Sequence, residues 1–185
     1  MSPPTRGASA FVVAVCLLAC SGGRRAAVRA PAADATDTEN QQAPHAAAVG
    51  DRPPPIAVRA IDGTPLTLAT GKVTLLVFWA TWSEPDKKEL IQVERMVARF
   101  GTEKLAVIAL SIDDEADRIA EFAQTYGLRF PIAWDAGHRF AATYRVASDP
   151  STYVIDRSGI IRFVHSGYHD EEAAEIAAEI ESLTR

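Results

Sequence analysis

Cysteine is nearly absent. The 185 residues hold two, Cys16 and Cys20, so everything downstream of position 20 lacks a free thiol or a disulfide and must be held by its core. Long apolar runs are missing too. Ala10 to Ala19 (AFVVAVCLLA) supplies only about half of the ~20 residues that a membrane-spanning helix needs. No Lys/Arg cluster follows Arg24-Arg25, and the net charge is −5, which argues against a nucleic-acid surface. Histidine is scarce. His45 stands alone among alanines, and His165 and His169 are spaced to share a metal only on a helix, where Gly167 and a strand pattern indicate a loop. No Gly-x-Ser-x-Gly elbow is present either.

What is present begins with a targeting signal. Arg6 gives a small positive region, the ten apolar residues follow, and Ser21, Gly22 and Gly23 supply small residues. Leu17-Leu18-Ala19-Cys20 resembles the lipobox of bacterial lipoproteins, which implies a signal peptide over residues 1–19 and a lipidated Cys20 as the membrane anchor. The chain is then expected in the cell envelope, facing the periplasm, with inner and outer membrane both open. Residues 20–50 lack any aromatic and are rich in Ala and Pro, a composition that reads as a disordered tether. A flexible chain of ~30 residues spans about 30 Å on average.

From about residue 51 the pattern changes to that of one globular domain reaching the C-terminus. IAVRA and PLTLA flank Ile61-Asp62-Gly63-Thr64, which predicts a β-hairpin because Asp-Gly supplies the positive φ that tight turns need. Val73 to Trp79 is a continuous run of strand formers, as expected when both faces are covered. Leu90, Val93, Val97 and Phe100 then mark one face of a helix that Gly101 ends. Leu105 to Ile112 reads as another buried strand. Ile119, Phe122, Ala123 and Tyr126 give a helix, Phe130 to Trp134 a strand, and Arg139 to Tyr144 a short helix. Strands over Thr152–Asp156 and Ile160–His165 meet at Arg157-Ser158-Gly159, and Ala173, Ile176, Ala177 and Ile180 face inward from a last helix. The result is an α/β sandwich with a mixed sheet flanked by helices and an N-terminal hairpin.

Three stretches in this order, FWATWSEPDKKEL, LAVIALSIDDEADRIAEFAQTYGLRFPIAWD and YRVASDPSTYVIDRSGIIRFVHSGY, resemble the thioredoxin fold. The likeness is to the TlpA/ResA-like and AhpC/TSA-like redoxins. It implies a cis proline at Pro150, after Asp149, beside the reaction loop. It also implies thiol-disulfide exchange by a W-C-x-x-C motif whose first cysteine is activated at a helix N-terminus. Here Ser83 and Asp86 stand at the two cysteine positions, and Val77 stands where thioredoxins often carry a buried Asp. Neither Ser83 nor Asp86 can form a mixed disulfide.

Ser83-Glu84-Pro85-Asp86 instead has the S-x-x-[DE] form of a capping box, worth ~1 kcal/mol. Asp86 is expected to face solvent, too weak a base there to activate Ser83 as a nucleophile. Two classes of function follow. The first is a redox-inactive binding or accessory protein that holds an envelope protein or an extended peptide on Trp82, Ser83, Asp149 and Pro150. The second is an oxidoreductase, a disulfide reductase or peroxiredoxin-like enzyme, that uses a partner's thiols or non-thiol chemistry at Ser83 and Asp86. Neither requires a cofactor or a metal.

Overall fold

The strand Val73–Trp79 (β3) organises the molecule. All seven of its residues are buried. Because side chains alternate across a strand, Val73, Leu75, Val77 and Trp79 enter one core cluster while Leu76 and Phe78 enter the other. The computed structural model describes residues 46–169 and 171–185. The leader, Cys20 and most of the tether lie outside the described residues. Residues of the expected tether next to the domain do pack on it: Ala47 is buried, and the Gly50 amide donates to the Ile161 carbonyl at 2.8 Å.

The hairpin comprises Ala57–Arg59 (β1) and Pro65–Thr67 (β2). Helix α1 (Glu84–Phe100) follows β3, then β4 (Leu105–Ser111), α2 (Ile119–Thr125), β5 (Ile132–Trp134), α3 (Arg139–Tyr144), β6 (Ser151–Ile155), β7 (Ile161–Ser166) and α4 (Glu172–Thr184). The main sheet has the order β5-β4-β3-β6-β7. β3, β4 and β5 run parallel, whereas β6 is antiparallel to β3 and β7 to β6. Among the described residues no helix is long and apolar enough to cross a membrane.

Helix α1 lies on the Val77 face because its stripe matches that cluster. Leu90, Val93 and Met96 are buried there with Ile176 and Ile180 of α4, and Val97 and Phe100 pack against its margin. Gly101, at φ +74°, ends the helix and returns its amide to the Val97 carbonyl. On the other face Phe78, Tyr144 and Tyr153 form an aromatic cluster with centroids 5.2–6.0 Å apart, and the Tyr144 hydroxyl donates to the Pro54 carbonyl.

The fifth strand starts at Ile132 rather than Phe130, because Pro131 has no amide to donate; its carbonyl accepts from Ala109 at this sheet edge. The hairpin forms where expected. Arg59 pairs with Pro65, and between them Asp62 accepts from the Thr64 amide while Gly63 takes φ +87°.

Candidate functional site at the start of helix α1

In open α/β sheets, ligand sites form outside the carboxyl ends of parallel strands. Here β3 ends at Trp79 and β4 at Ser111, and the Ile112 amide donates to the Trp79 carbonyl at 2.8 Å, so the loops that follow lie side by side. Ser151 pairs with Phe78, which brings Asp149-Pro150 to this same end. The Asp149-Pro150 peptide is cis.

Ser83 is the N-cap of α1, with extended dihedrals of −91° and 117°. Its hydroxyl donates to Asp86 Oδ1 at 2.6 Å and accepts weakly from the Asp86 amide at 3.4 Å. Pro85 sits in the first turn, where no amide partner is lost. Asp86 returns toward the loop, but its Oδ2 accepts from the Ala80 amide at 2.6 Å rather than from the Ser83 amide. The capping box is therefore stretched, and it closes the Ala80–Ser83 turn.

The expectation that Asp86 faces solvent is overturned: its side chain is fully buried. Asp86 lies four residues before Leu90 and so falls on the helix face that the core covers. Burial pushes its carboxyl up to about 6 against the Ser83 and Ala80 hydrogen bonds, which favour the ion, and the charges of Asp149 and Asp113 push the same way. One turn on, Glu89 is also buried and accepts from the Thr152 hydroxyl. Burial lifts it to about 8, with Glu172 and Asp86 adding to the rise. Asp149, half-buried beside the loop, is raised by burial as well. Near neutral pH Asp86 is mostly ionised and Glu89 mostly protonated.

Another carboxylate, Asp113, holds the loop from the β4 side. Asp113 accepts from the Thr81 amide through both oxygens (3.1 and 3.2 Å), from the Thr81 hydroxyl at 2.6 Å and from the Ser111 hydroxyl. Asp113→Ala strands these donors, so the melting transition should fall by the equivalent of ~1–3 kcal/mol. Thermal unfolding followed by circular dichroism measures it.

The loop turns two nearby tryptophans in opposite directions. Trp79 is fully buried against Phe122, whereas Trp82 is 67% exposed. Beside Trp82 runs a polar groove of about 380 Å³ bordered by Lys87, Arg118 and Tyr126. Lys87 is held there by Glu84 and by the Tyr126 ring.

Of the residues singled out in the sequence, Ser83 and Asp86 touch each other, and Trp82, Asp149 and Pro150 share their end of the sheet. Cys20 lies outside the described residues. Glu89 and Asp113 were missed, although Glu89 sits next to Leu90 and four before Val93, a position inside the apolar stripe. His165 and His169 do not converge. His165 meets Glu172 and Glu179 of α4 at 3.2 and 2.9 Å, while His169 offers Glu172 its backbone amide. Among the described residues no cluster of His, Cys, Asp and Glu is placed to hold a metal ion.

A central mixed sheet, a helix starting at the end of its middle strand and a cis proline facing that start define a thioredoxin-like protein. The AhpC/TSA family model matches residues 49–164, and the chain belongs to that family. It is 36% identical over 123 residues to the thioredoxin-like protein YneN of Bacillus subtilis, covering 64% of this chain and 71% of the relative. With the thiol-disulfide oxidoreductase ResA of Bacillus anthracis it shares 31% over 113 residues, 60% of this chain and 65% of the other. Among solved structures, a thiol:disulfide interchange protein of the thioredoxin family from Chlorobium tepidum superposes with a TM-score of 0.66 at 18% identity, over 75% of this chain and 99% of that one. StoA of Bacillus subtilis gives 0.59 at 21%, over 68% and 96%.

Proposed function

We propose that this member of a thiol-disulfide oxidoreductase family has exchanged redox chemistry for binding. In this reading it is an envelope lipoprotein anchored through acylated Cys20, and it holds an extended polypeptide on exposed Trp82 and half-buried Asp149, with buried Ser83 and Pro150 shaping the surface beneath. One observation carries the reading. At the helix start where the family resemblance puts a cysteine pair, Ser83 and Asp86 satisfy each other and the Ala80 amide in a buried, closed arrangement. Such a pair stabilises the loop and offers no electrons. Next to it Trp82 stands out into solvent, and large aromatic side chains that a partner can bury are common anchors of interfaces. The lipobox and the likeness to ResA favour the envelope.

Trp82→Ala is expected to weaken binding of extended peptides by ~10- to 30-fold, the loss of one aromatic anchor. Fluorescence polarisation with a panel of labelled peptides measures this. Equal affinity of both proteins for every peptide bound would rule out the groove.

A second reading keeps an enzyme here, and one observation favours it. Asp86, at about 6, lies 2.6 Å from the Ser83 hydroxyl, the spacing of a base and its nucleophile. Against it, Ser83 is only 8% exposed and the nearby Ala80 amide is already taken by Asp86. An oxidoreductase that borrows a partner's thiols is the other form of this reading, and it requires insulin reduction to appear only when those thiols are supplied.

A further inference from the structure

Among the described residues the β1–β2 hairpin hydrogen-bonds to the main sheet at its tip, where Ala60 bridges Ala133 and the Ile61 amide donates to the Ile132 carbonyl. Between the hairpin and the start of α2 and α3 this leaves an open groove of about 870 Å³, within the ~300–1,000 Å³ range of small-molecule sites. Its walls are rich in methyl groups and include Ile61, Leu66, Ala120 and Trp134. Ile61 is 44% exposed, a large apolar side chain left uncovered on the rim.

Two cations border these walls, Arg59 and Arg139. Arg59 donates to the Gly63 carbonyl, and the Arg139 guanidinium lies 4.6 Å from the Phe140 centroid. Among the described residues neither forms an ion pair. The nearby acids are otherwise engaged: Asp135 accepts from the Phe140 and Ala141 amides, Asp114 meets His138, and Asp62 accepts from Thr64. An apolar trough with two guanidiniums, and with its lining carboxylate Asp135 buried and held by two amides, complements a molecule with an aliphatic body and an anionic head, which a guanidinium binds through two parallel hydrogen bonds.

We infer that this groove binds a single-chain aliphatic carboxylate, with the chain along the hairpin and the head on Arg59 and Arg139. Binding has a route to the loop at the start of α1. Trp134 lines the groove, and its indole N–H donates to the Asp113 carbonyl at 2.8 Å; the side chain of the same Asp113 holds Thr81 next to Trp82. The groove and the Trp82 surface are separate sites, so loss of either proposal leaves the other standing.

The test is a titration of the full chain with dodecanoate below its micelle concentration, followed through the indole N–H resonances of the three tryptophans. The expected result is a saturable shift of the Trp134 resonance with a Kd on the order of 100 µM. Arg59→Ala with Arg139→Ala should weaken it at least tenfold. Ala120→Trp should abolish it, and because Ala120 is exposed on α2 this variant fills the groove without entering the core. No saturable shift at Trp134 would overturn the proposal. So would dodecanol binding as tightly as dodecanoate with the arginine variant unaffected, since the anionic head would then play no part.

Discussion

Raising the pH from 5 to 9 should destabilise this domain, and Glu89→Gln should remove most of the loss. The cause is the buried carboxyl that burial lifts from 4.5 to about 8. A carboxyl whose folded value lies above its unfolded one binds its proton more tightly in the native state. Stability is therefore greatest while both states are protonated and falls as pH climbs from the unfolded value to the folded one. For Glu89 that window runs from about 4.5 to about 8. Its full depth is on the order of 5 kcal/mol, at 1.36 kcal/mol per pH unit.

Gln keeps an oxygen for the Thr152 hydroxyl and never ionises, so its urea midpoint should stay level above about pH 6, below which Asp86 still titrates. Asp86 contributes a second, lower window, from 3.8 to about 6, with a depth on the order of 3 kcal/mol. Asp86→Asn can accept from the Ala80 amide through its oxygen and donate to the Ser83 hydroxyl through its nitrogen, which flattens that window. Because the two carboxyls repel each other when charged, the double variant should gain less than the sum of the two. The opposite effect, from Asp156, whose hydrogen bonds to the Ile160 and Ser158 amides and its pairing with Arg162 hold its carboxyl low, belongs below about pH 4. Urea unfolding at pH 5, 7 and 9 reads all of these; a wild-type midpoint that does not move between 5 and 9 would contradict the assignment.

Ser83→Cys with Asp86→Cys should give this domain the disulfide reductase activity of a paired-thiol site. Position 83 is the N-cap of a 17-residue helix, where free amides and the helix dipole lower a thiol into the range of about 3.5–7.5. Position 86 lies three residues on and is buried, already in hydrogen-bond contact with position 83, so a disulfide has a short path to close. The cis Asp149-Pro150 peptide and exposed Trp82 are in place beside it. Reduction of insulin by dithiothreitol, followed as turbidity, should accelerate with the double variant and not with either single one, because exchange needs both an attacking and a resolving thiol. A double variant that forms its disulfide yet stays inactive would mean that more than the thiols has been lost.

The order of elements was legible in the sequence because long buried strands and single-faced helices leave unambiguous patterns. VTLLVFW and LAVIALS read as buried strands once Gly101 closes the helix between them. The loop was legible only in part. Ser83 as a helix cap follows from local chemistry, since its partner is three residues away. The burial of Asp86 was masked by its place at a helix start, where a carboxylate reads as a solvated acid although it lies four residues before Leu90 on the apolar face. Asp113 was invisible for a related reason: its role is to hold Thr81 across two strands, a contact made by the parallel register of β3 and β4. Glu89 could have been found by extending the Leu90–Val93 stripe backward by one position. The groove under the hairpin left no sequence signal, as it is made where two sheets fail to join.

The most direct measurement is insulin reduction by the wild-type domain beside Ser83→Ala. With no thiol after Cys20 and a closed Ser83–Asp86 pair, the expected result is that both leave the rate at the level of dithiothreitol alone. Wild-type turnover above that level, lost in Ser83→Ala, would contradict a binding role and make Ser83 and Asp86 an active site.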